Sequence, residues 1–151
     1  AYEDVGLANP AAVDRCYHAC EVAREVGLPE AMIPLSFTVC ELALSPKSKS
    51  AALAIEDAMS SVSDSPIQVR DYLKLTRANV SSEDSYPYTE WDTLDYLEYL
   101  PKEMIGTHFY HIDENRTGKY ERNLNDYWKL HAHQRYESVR QAREAAKKEK
   151  K

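Results

Sequence analysis

Apolar residues along this chain recur mostly at steps of three and four, the spacing of one face of an α-helix. After residues 2–6, Gly6 can take the left-handed conformation that stops a helix. Asn9-Pro10 then supplies a capping side chain and a residue suited to a first helical turn. Val13, Cys16, Tyr17, Cys20 and Ala23 form a stripe that ends near Gly27, and Pro29 and Pro34 punctuate a turn. Residues 34–45 are apolar nearly all round, with Leu35, Phe37, Val39, Cys40, Leu42 and Leu44. A helix of that kind belongs at the centre of a bundle. Ser45-Pro46 reads as the start of the next helix, with Ala51, Ala52, Ile55, Ala58, Met59 and Val62 as its buried stripe. A last helix face is marked by Tyr120, Leu124, Tyr127, Trp128 and His131, and runs on into a solvated, frayed end. The predicted class is all-α.

Residues 63–118 break this rhythm. Prolines at 66, 87 and 101 interrupt them, and "SYPYTEWDTLDYLEYLP" (85–101) sets four tyrosines and a tryptophan among acids. Aromatic rings can stack on bases, but Glu83, Asp84, Glu90, Asp92, Asp95 and Glu98 would repel a phosphate backbone. The stretch suits an irregular wrap over the helices, with a protein contact as the alternative.

Composition adds to the picture at three points. Only four glycines occur in 151 residues, too few for a glycine-rich nucleotide fold, and 43% hydrophobic content suffices for a core. Net charge is −6, yet residues 135–151 hold seven Lys/Arg against three acids, leaving 12 basic and 22 acidic residues elsewhere. An acidic body argues against a dedicated nucleic-acid binder. The three cysteines, Cys16, Cys20 and Cys40, lack zinc or disulfide spacing and read as buried thiols of a reducing, cytoplasmic protein. No signal peptide or membrane-length apolar run occurs, so no membrane partner is expected. The first residue is Ala1 and "AYEDVG" reads as the end of an element, which suggests a piece of a longer protein.

Candidate chemistry is thin. "LALSPKSKSAALAI" (42–55) lacks the glycines of G-x-x-x-x-G-K-[ST], so it begins a helix and does not cradle ATP. Lys47 and Lys49 would nevertheless sit in a first turn, where the helix dipole disfavours cations. An anion there, a phosphate of DNA or a carboxylate of a neighbouring subunit, would offset this; two solvated lysines are the plain alternative. "DENRTGKYERNL" (113–124) imitates a calcium loop through Asp113, Asn115, Thr117 and Gly118. Its twelfth position is Leu124 where a bidentate Glu is required, so it reads as a turn. His108, His111, His131 and His133 assemble no nucleophile or metal set. No catalytic, cofactor or metal residue is expected.

Taken in order, "YEDVGLANP" (2–10), "GLPEAMIPL" (27–35), "LALSPKSKSAALAI" (42–55) and "FYHIDENRTGKYERNL" (109–124) resemble the C-terminal region of the replication-associated recombination protein A family, also called maintenance of genome stability protein A. Its eukaryotic relative is the Werner helicase-interacting ATPase. The resemblance covers residues 2–130 in patches and is strongest over 2–62. It implies a clamp-loader-like helical collar that assembles an AAA+ ATPase into a tetramer at stalled forks, in recombination and repair. It further implies DNA contact through the full-length protein, single-stranded DNA-binding protein or other replisome partners, and a nucleoid-associated place in the cytoplasm. ATP and magnesium would belong to the preceding module, so this fragment would be no enzyme and carry no cofactor, while the full-length protein would hydrolyse ATP. The expected organisation is 1–8 as the end of the ATPase region, 9–64 as the helical oligomerisation core, 65–118 as the aromatic-acidic cover and 119–151 as a C-terminal helix with a basic tail. Glu3 and Asp4 would lie at the junction with the ATPase module. Lys47 matches the lysine of the family's "PKS", whereas Lys49 stands where members often carry Asn or Ala. "YPYTEWD" (86–92) keeps the family's aromatic spacing and lacks its histidine. The competing reading is a direct DNA-binding domain using Lys47, Lys49, Arg70 and the basic tail.

Calorimetry with ATP and magnesium should therefore show no nucleotide binding by residues 1–151; micromolar affinity would overturn this reading.

Overall fold

Helices form wherever the three-to-four spacing holds, and they stop where glycine, proline or a capping hydroxyl intervenes. The structure, a computed structural model, describes residues 1–62, 67–74, 81 and 83–149. A 3₁₀ turn at Gly6–Ala8 is followed by α1 (Pro10–Val26), α2 (Met32–Leu44) and α3 (Ser50–Val62). Then come 3₁₀ turns at Asp71–Leu73 and Lys102–Met104, with the short α4 (Trp91–Leu94) between them. Finally come α5 (Lys119–His131) and α6 (Val139–Glu149). Among the described residues no strand occurs beyond an isolated parallel bridge between Leu97 and Tyr136. The class is all-α, as expected.

The chain divides into two units, residues 1–63 with 108–130, and residues 64–107 with 131–151. The expected cover 65–118 is thus shared: its last part belongs with the helices of the first unit, and the rest forms the second with the C-terminal stretch. The expected boundary at 64 and the last two lysines lie outside the described residues. The single C-terminal helix expected over 119–151 is also two helices, separated at 132–138. Tyr136 explains the break. Its N–H donates to the Tyr96 carbonyl (2.7 Å) and its carbonyl accepts from Glu98 N–H (2.9 Å), which draws the backbone out of helical bonding.

In the first unit, α1 starts as its sequence predicts. Asn9 Oδ1 accepts from Ala12 N–H at 3.3 Å, with Pro10 in the first turn. Ala12, Val13 and Ala19 are the buried residues of α1, and small side chains there let α2 approach closely. Arg15 Nε clamps the Glu41 carboxylate at 3.0 and 2.9 Å, joining the two helices at their rim.

Four expectations are corrected here. Helix α2 is not central: Thr38 is its one buried residue, while Ile33 is 76%, Phe37 59% and Val39 62% exposed. Its main packing neighbour is α1, and one neighbour covers only one face. Helix α3 begins at Ser50, not at Pro46, because Ser45 is used to end α2: its N–H and Oγ both donate to the Glu41 carbonyl (3.0 and 2.7 Å). The stripe assigned to its interior lies outward, with Ile55, Met59 and Val62 exposed and Ala52 and Ala58 half-buried. The cysteines are free, Cys16 and Cys20 half-buried and Cys40 exposed, so the buried-thiol reading fails for Cys40.

Helix α5 shows the same inversion. It buries Glu121 and Asn125 and turns Tyr120, Leu124, Tyr127, Trp128 and Leu130 outward. Its amphipathic pattern predicts the helix correctly and the buried side wrongly.

Since Val39 stands in solvent within one chain, Val39→Asp should leave unfolding within about 0.5 kcal/mol of the parent when measured at dilutions where the chain is monomeric. A loss of several kcal/mol would show that this side of α2 is buried in solution.

Candidate functional site

The segment 45–50 is where the sequence placed its candidate anion site, and there the structure brings four parts of the first unit together. From Pro46 to Lys49 the chain is non-helical, and Ser48 N–H donates to the Asp4 carbonyl at 2.8 Å. Lys47 Nζ donates back to the Leu42 carbonyl, a cation on the last turn of α2 where the helix dipole favours it. Lys49 Nζ lies 3.4 Å from Glu3 and 3.3 Å from Asp4. Asp4 foremost, then Glu3, holds the Lys49 ammonium above its ordinary value. The two lysines and the two acids therefore meet, and the carboxylates nearest Lys49 come from its own chain.

Behind them lies a group that the sequence reading missed. Glu121 is fully buried, and its carboxylate accepts hydrogen bonds from Ser48 Oγ (3.0 Å), Tyr110 Oη (2.6 Å), Ser50 Oγ and Thr117 Oγ1. Ser50 opens α3, so this carboxylate stands at that helix's positive end. Burial alone would push the Glu121 carboxyl up, but the four hydroxyls outweigh it and leave the group below its ordinary value. Burial, and then the bond to Glu121, pushes the Tyr110 phenol up to about 12. The available signal was the Glu121–Asn125 pair, four apart on one face of α5. Reading the apolar face as the inner one hid it.

Gly118 lets this arrangement close. A Cβ there would sit 2.0 Å from the Ala8 carbonyl oxygen, so the turn before α5 fits against the Gly6–Ala8 turn only without a side chain. The calcium-loop mimic is the turn the sequence implied. Asp113 Oδ1 accepts from Asn115 N–H (3.1 Å), and the Asp113 carbonyl accepts from Arg116 and Thr117 N–H. Among the described residues no cluster of three or more His, Cys, Asp or Glu could hold a metal. An open cleft of about 530 Å³ fronts the site, with Ala1, Asp4, Leu42, Lys47, Lys49 and Arg116 in its lining.

Arg70 is not part of this site. It lies in the second unit with its side chain 5% exposed, where Nε donates to the Leu100 carbonyl (2.7 Å) and Nη1 meets Glu137 (2.8 Å). A guanidinium so placed cannot reach a phosphate, which corrects its assignment as a surface contact. Three arginines of the basic tail are also engaged. Arg140 pairs with Glu83 and Asp84, and Arg143 bonds Glu90 through Nε (2.8 Å) and Nη2 (2.9 Å). Arg143 thereby holds the Glu90 carboxyl below the usual carboxylate range. Arg135 lies over the Tyr99 ring.

The motifs of 2–10, 42–55 and 109–124 thus converge on one buried carboxylate. A comparison with known families gives these same stretches a common origin: the family described as MgsA AAA+ ATPase C terminal matches residues 1–132. The chain belongs to that family. A Bacillus subtilis (strain 168) protein named Replication-associated recombination protein A is 37% identical over 131 residues, covering 82% of this chain and 31% of that protein. An uncharacterized AAA domain-containing protein of Mycobacterium tuberculosis is 27% identical over 117 residues, 73% of this chain and 26% of its own length. The chain therefore spans less than a third of either relative. It corresponds to the C-terminal region of such an ATPase, and the ATPase module is not in it.

Glu121→Gln should lower stability at neutral pH by about 1.5–3 kcal/mol, the scale of hydrogen bonds to a charged group. The folded carboxyl titrates below its unfolded value, so its contribution is complete above the unfolded value, about 4.3, and is lost as pH falls through the folded one. The gap between parent and variant should therefore shrink below about pH 4, as read by urea unfolding at pH 7 and pH 3.5.

Proposed function

We propose that this chain is the oligomerisation and interaction module at the C-terminal end of an AAA+ ATPase that acts in replication-associated recombination. The observation that carries the proposal is the outward display of apolar residues on three helices. Ile33, Phe37, Val39 and Leu44 of α2, Leu53, Ile55 and Met59 of α3, and Tyr127, Trp128 and Leu130 of α5 are all half or more exposed. On α2 that display carries no charge, since its only ionised residue, Glu41, is held by Arg15. Surfaces of this kind mark protein contacts, and aromatic and methionine side chains are favoured in them. Self-association with a tetramer as end state is the assembly we favour.

The name of the Bacillus subtilis relative supports the recombination setting. In this reading the longer protein binds ATP, magnesium and DNA, works in the cytoplasm near the nucleoid and engages replisome proteins. Glu3 and Asp4, tied to Lys49 and Ser48, form the junction through which the ATPase module meets the helices. Among the described residues no helix is long and apolar enough to cross a membrane. Direct DNA binding by this chain is disfavoured, because Lys49, Arg70, Arg140 and Arg143 all have carboxylate partners of their own.

Sedimentation at tens of micromolar should show a dimer or larger species at low and high salt alike, since screening acts mainly on exposed charges. Val39→Asp should shift it toward monomer. A 17.3 kDa monomer in both salts would overturn the proposal.

A further inference from the structure

Residues 1–6 carry the hydrogen bonds of a helix end. Val5 N–H and Gly6 N–H both donate to the Ala1 carbonyl at 3.0 Å, and Val5 has helical backbone angles. Gly6 then takes the left-handed conformation, φ +43°, in which glycine readily stops a helix. A bond from residue 5 back to residue 1 closes one α-helical turn. The helical acceptors for the N–H groups of Tyr2, Glu3 and Asp4 would therefore lie ahead of Ala1. Among the described residues these three N–H groups have no acceptor. The turn is also fixed in place. Val5 is buried, the Asp4 carbonyl accepts from Ser48 N–H, and Lys49 meets Glu3 and Asp4.

This turn faces two clefts of the first unit with helical spacing. Ala1, Asp4 and Val5 line the cleft of about 530 Å³, and Tyr2 and Gly6 line a smaller one of about 220 Å³. Steps of three and four mark one face of a helix, so the next turn upstream would set side chains over the larger cleft. Arg116 also lines that cleft and is exposed. Among the described residues its guanidinium has no hydrogen-bond or ion-pair partner. The other cations there are already taken, Lys47 by the Leu42 carbonyl and Lys49 by Glu3 and Asp4. Asp113, in the same lining, accepts from Asn115 N–H at 3.1 Å.

The family match places an ATPase module ahead of this region in the longer protein, and the chain spans 31% of its Bacillus subtilis relative. We propose that the segment immediately ahead of Ala1 is a helix that ends in residues 1–5. It lies along the 530 Å³ cleft and sets a carboxylate on Arg116. The ATPase module is then joined to the first unit by a rigid helix and not by a free linker. This rests on the junction assigned above to Glu3 and Asp4 and uses none of the apolar residues of the self-association reading.

Hydrogen exchange on the longer protein tests both parts. The amides of Tyr2, Glu3 and Asp4 should exchange at least about tenfold more slowly than in an unstructured chain. Exchange at unstructured rates overturns the helix. Arg116→Glu in the longer protein should speed exchange in the 45–49 link several-fold, because it places a carboxylate against a carboxylate. The same change in residues 1–151 alone should leave that link as it was, since Arg116 has no partner there. An equal effect in both, or none in either, overturns the cleft as the seat.

Should Arg116→Glu fail to fold, Arg116→Gln removes the charge with less disturbance and gives the same reading at smaller amplitude. Protection of the 45–49 link that fades on dilution to monomers assigns the cleft to a second copy and overturns the proposal. Sedimentation of the same samples reads self-association separately. A monomer that keeps the slow amides overturns self-association alone, and an oligomer with fast amides at Tyr2, Glu3 and Asp4 overturns the helix alone.

Discussion

A single buried carboxylate organises the first unit. Glu121 is withdrawn from water on α5 and met by hydroxyls from the 46–50 link, the start of α3 and the loop before α5. A lone buried charge would be strongly destabilising, so each donor that reaches it fixes its own segment in place. Ser48 and Ser50 hold the passage from α2 to α3, Thr117 and Tyr110 hold the approach to α5, and Asp4 is bound to the same passage through Ser48 N–H. Gly118 is required by closeness: only a missing side chain lets the turn sit against Ala8.

That constraint also explains why the helices look inverted. Once α5 is anchored by its polar face, its tyrosines, tryptophan and leucines have nowhere to go but outward. The same holds for α2, whose buried face is the side that meets α1. Within one chain this leaves apolar surface uncompensated, and that surface is what the proposed self-association would cover. The acidic, aromatic second unit follows another rule, in which carboxylates are matched by arginines from α6 and the rings close over a small aliphatic centre.

Much of this was legible in the sequence, and the failures share one cause. The helical class, the Asn9 cap, the turn at 113–118 and the family followed from spacing and motif. What failed was the inside–outside assignment of α2, α3 and α5, because amphipathic patterns identify a buried face only when the partner is the same chain's core. Ser45 was misread for a local reason: a hydroxyl before a proline can start a helix or end one, and here the Glu41 carbonyl takes it. Lys47 and Lys49 were singled out for an anion from DNA or a neighbouring subunit, with solvated lysines as the alternative. That their partners are Leu42, Glu3 and Asp4 depends on contacts between residues far apart in the chain, which spacing does not encode. Glu121 was missed because an ionised side chain on a helix is ordinarily solvated, and nothing nearby in sequence announces four converging hydroxyls.

The uncharged outer face of α2 bears on the life of the protein as well as on its architecture. Exposed aliphatic surface is what chaperones bind and proteases exploit when a subunit lacks its companions. If the proposed assembly holds, a surplus copy of this chain would be conspicuous to both until that face is covered.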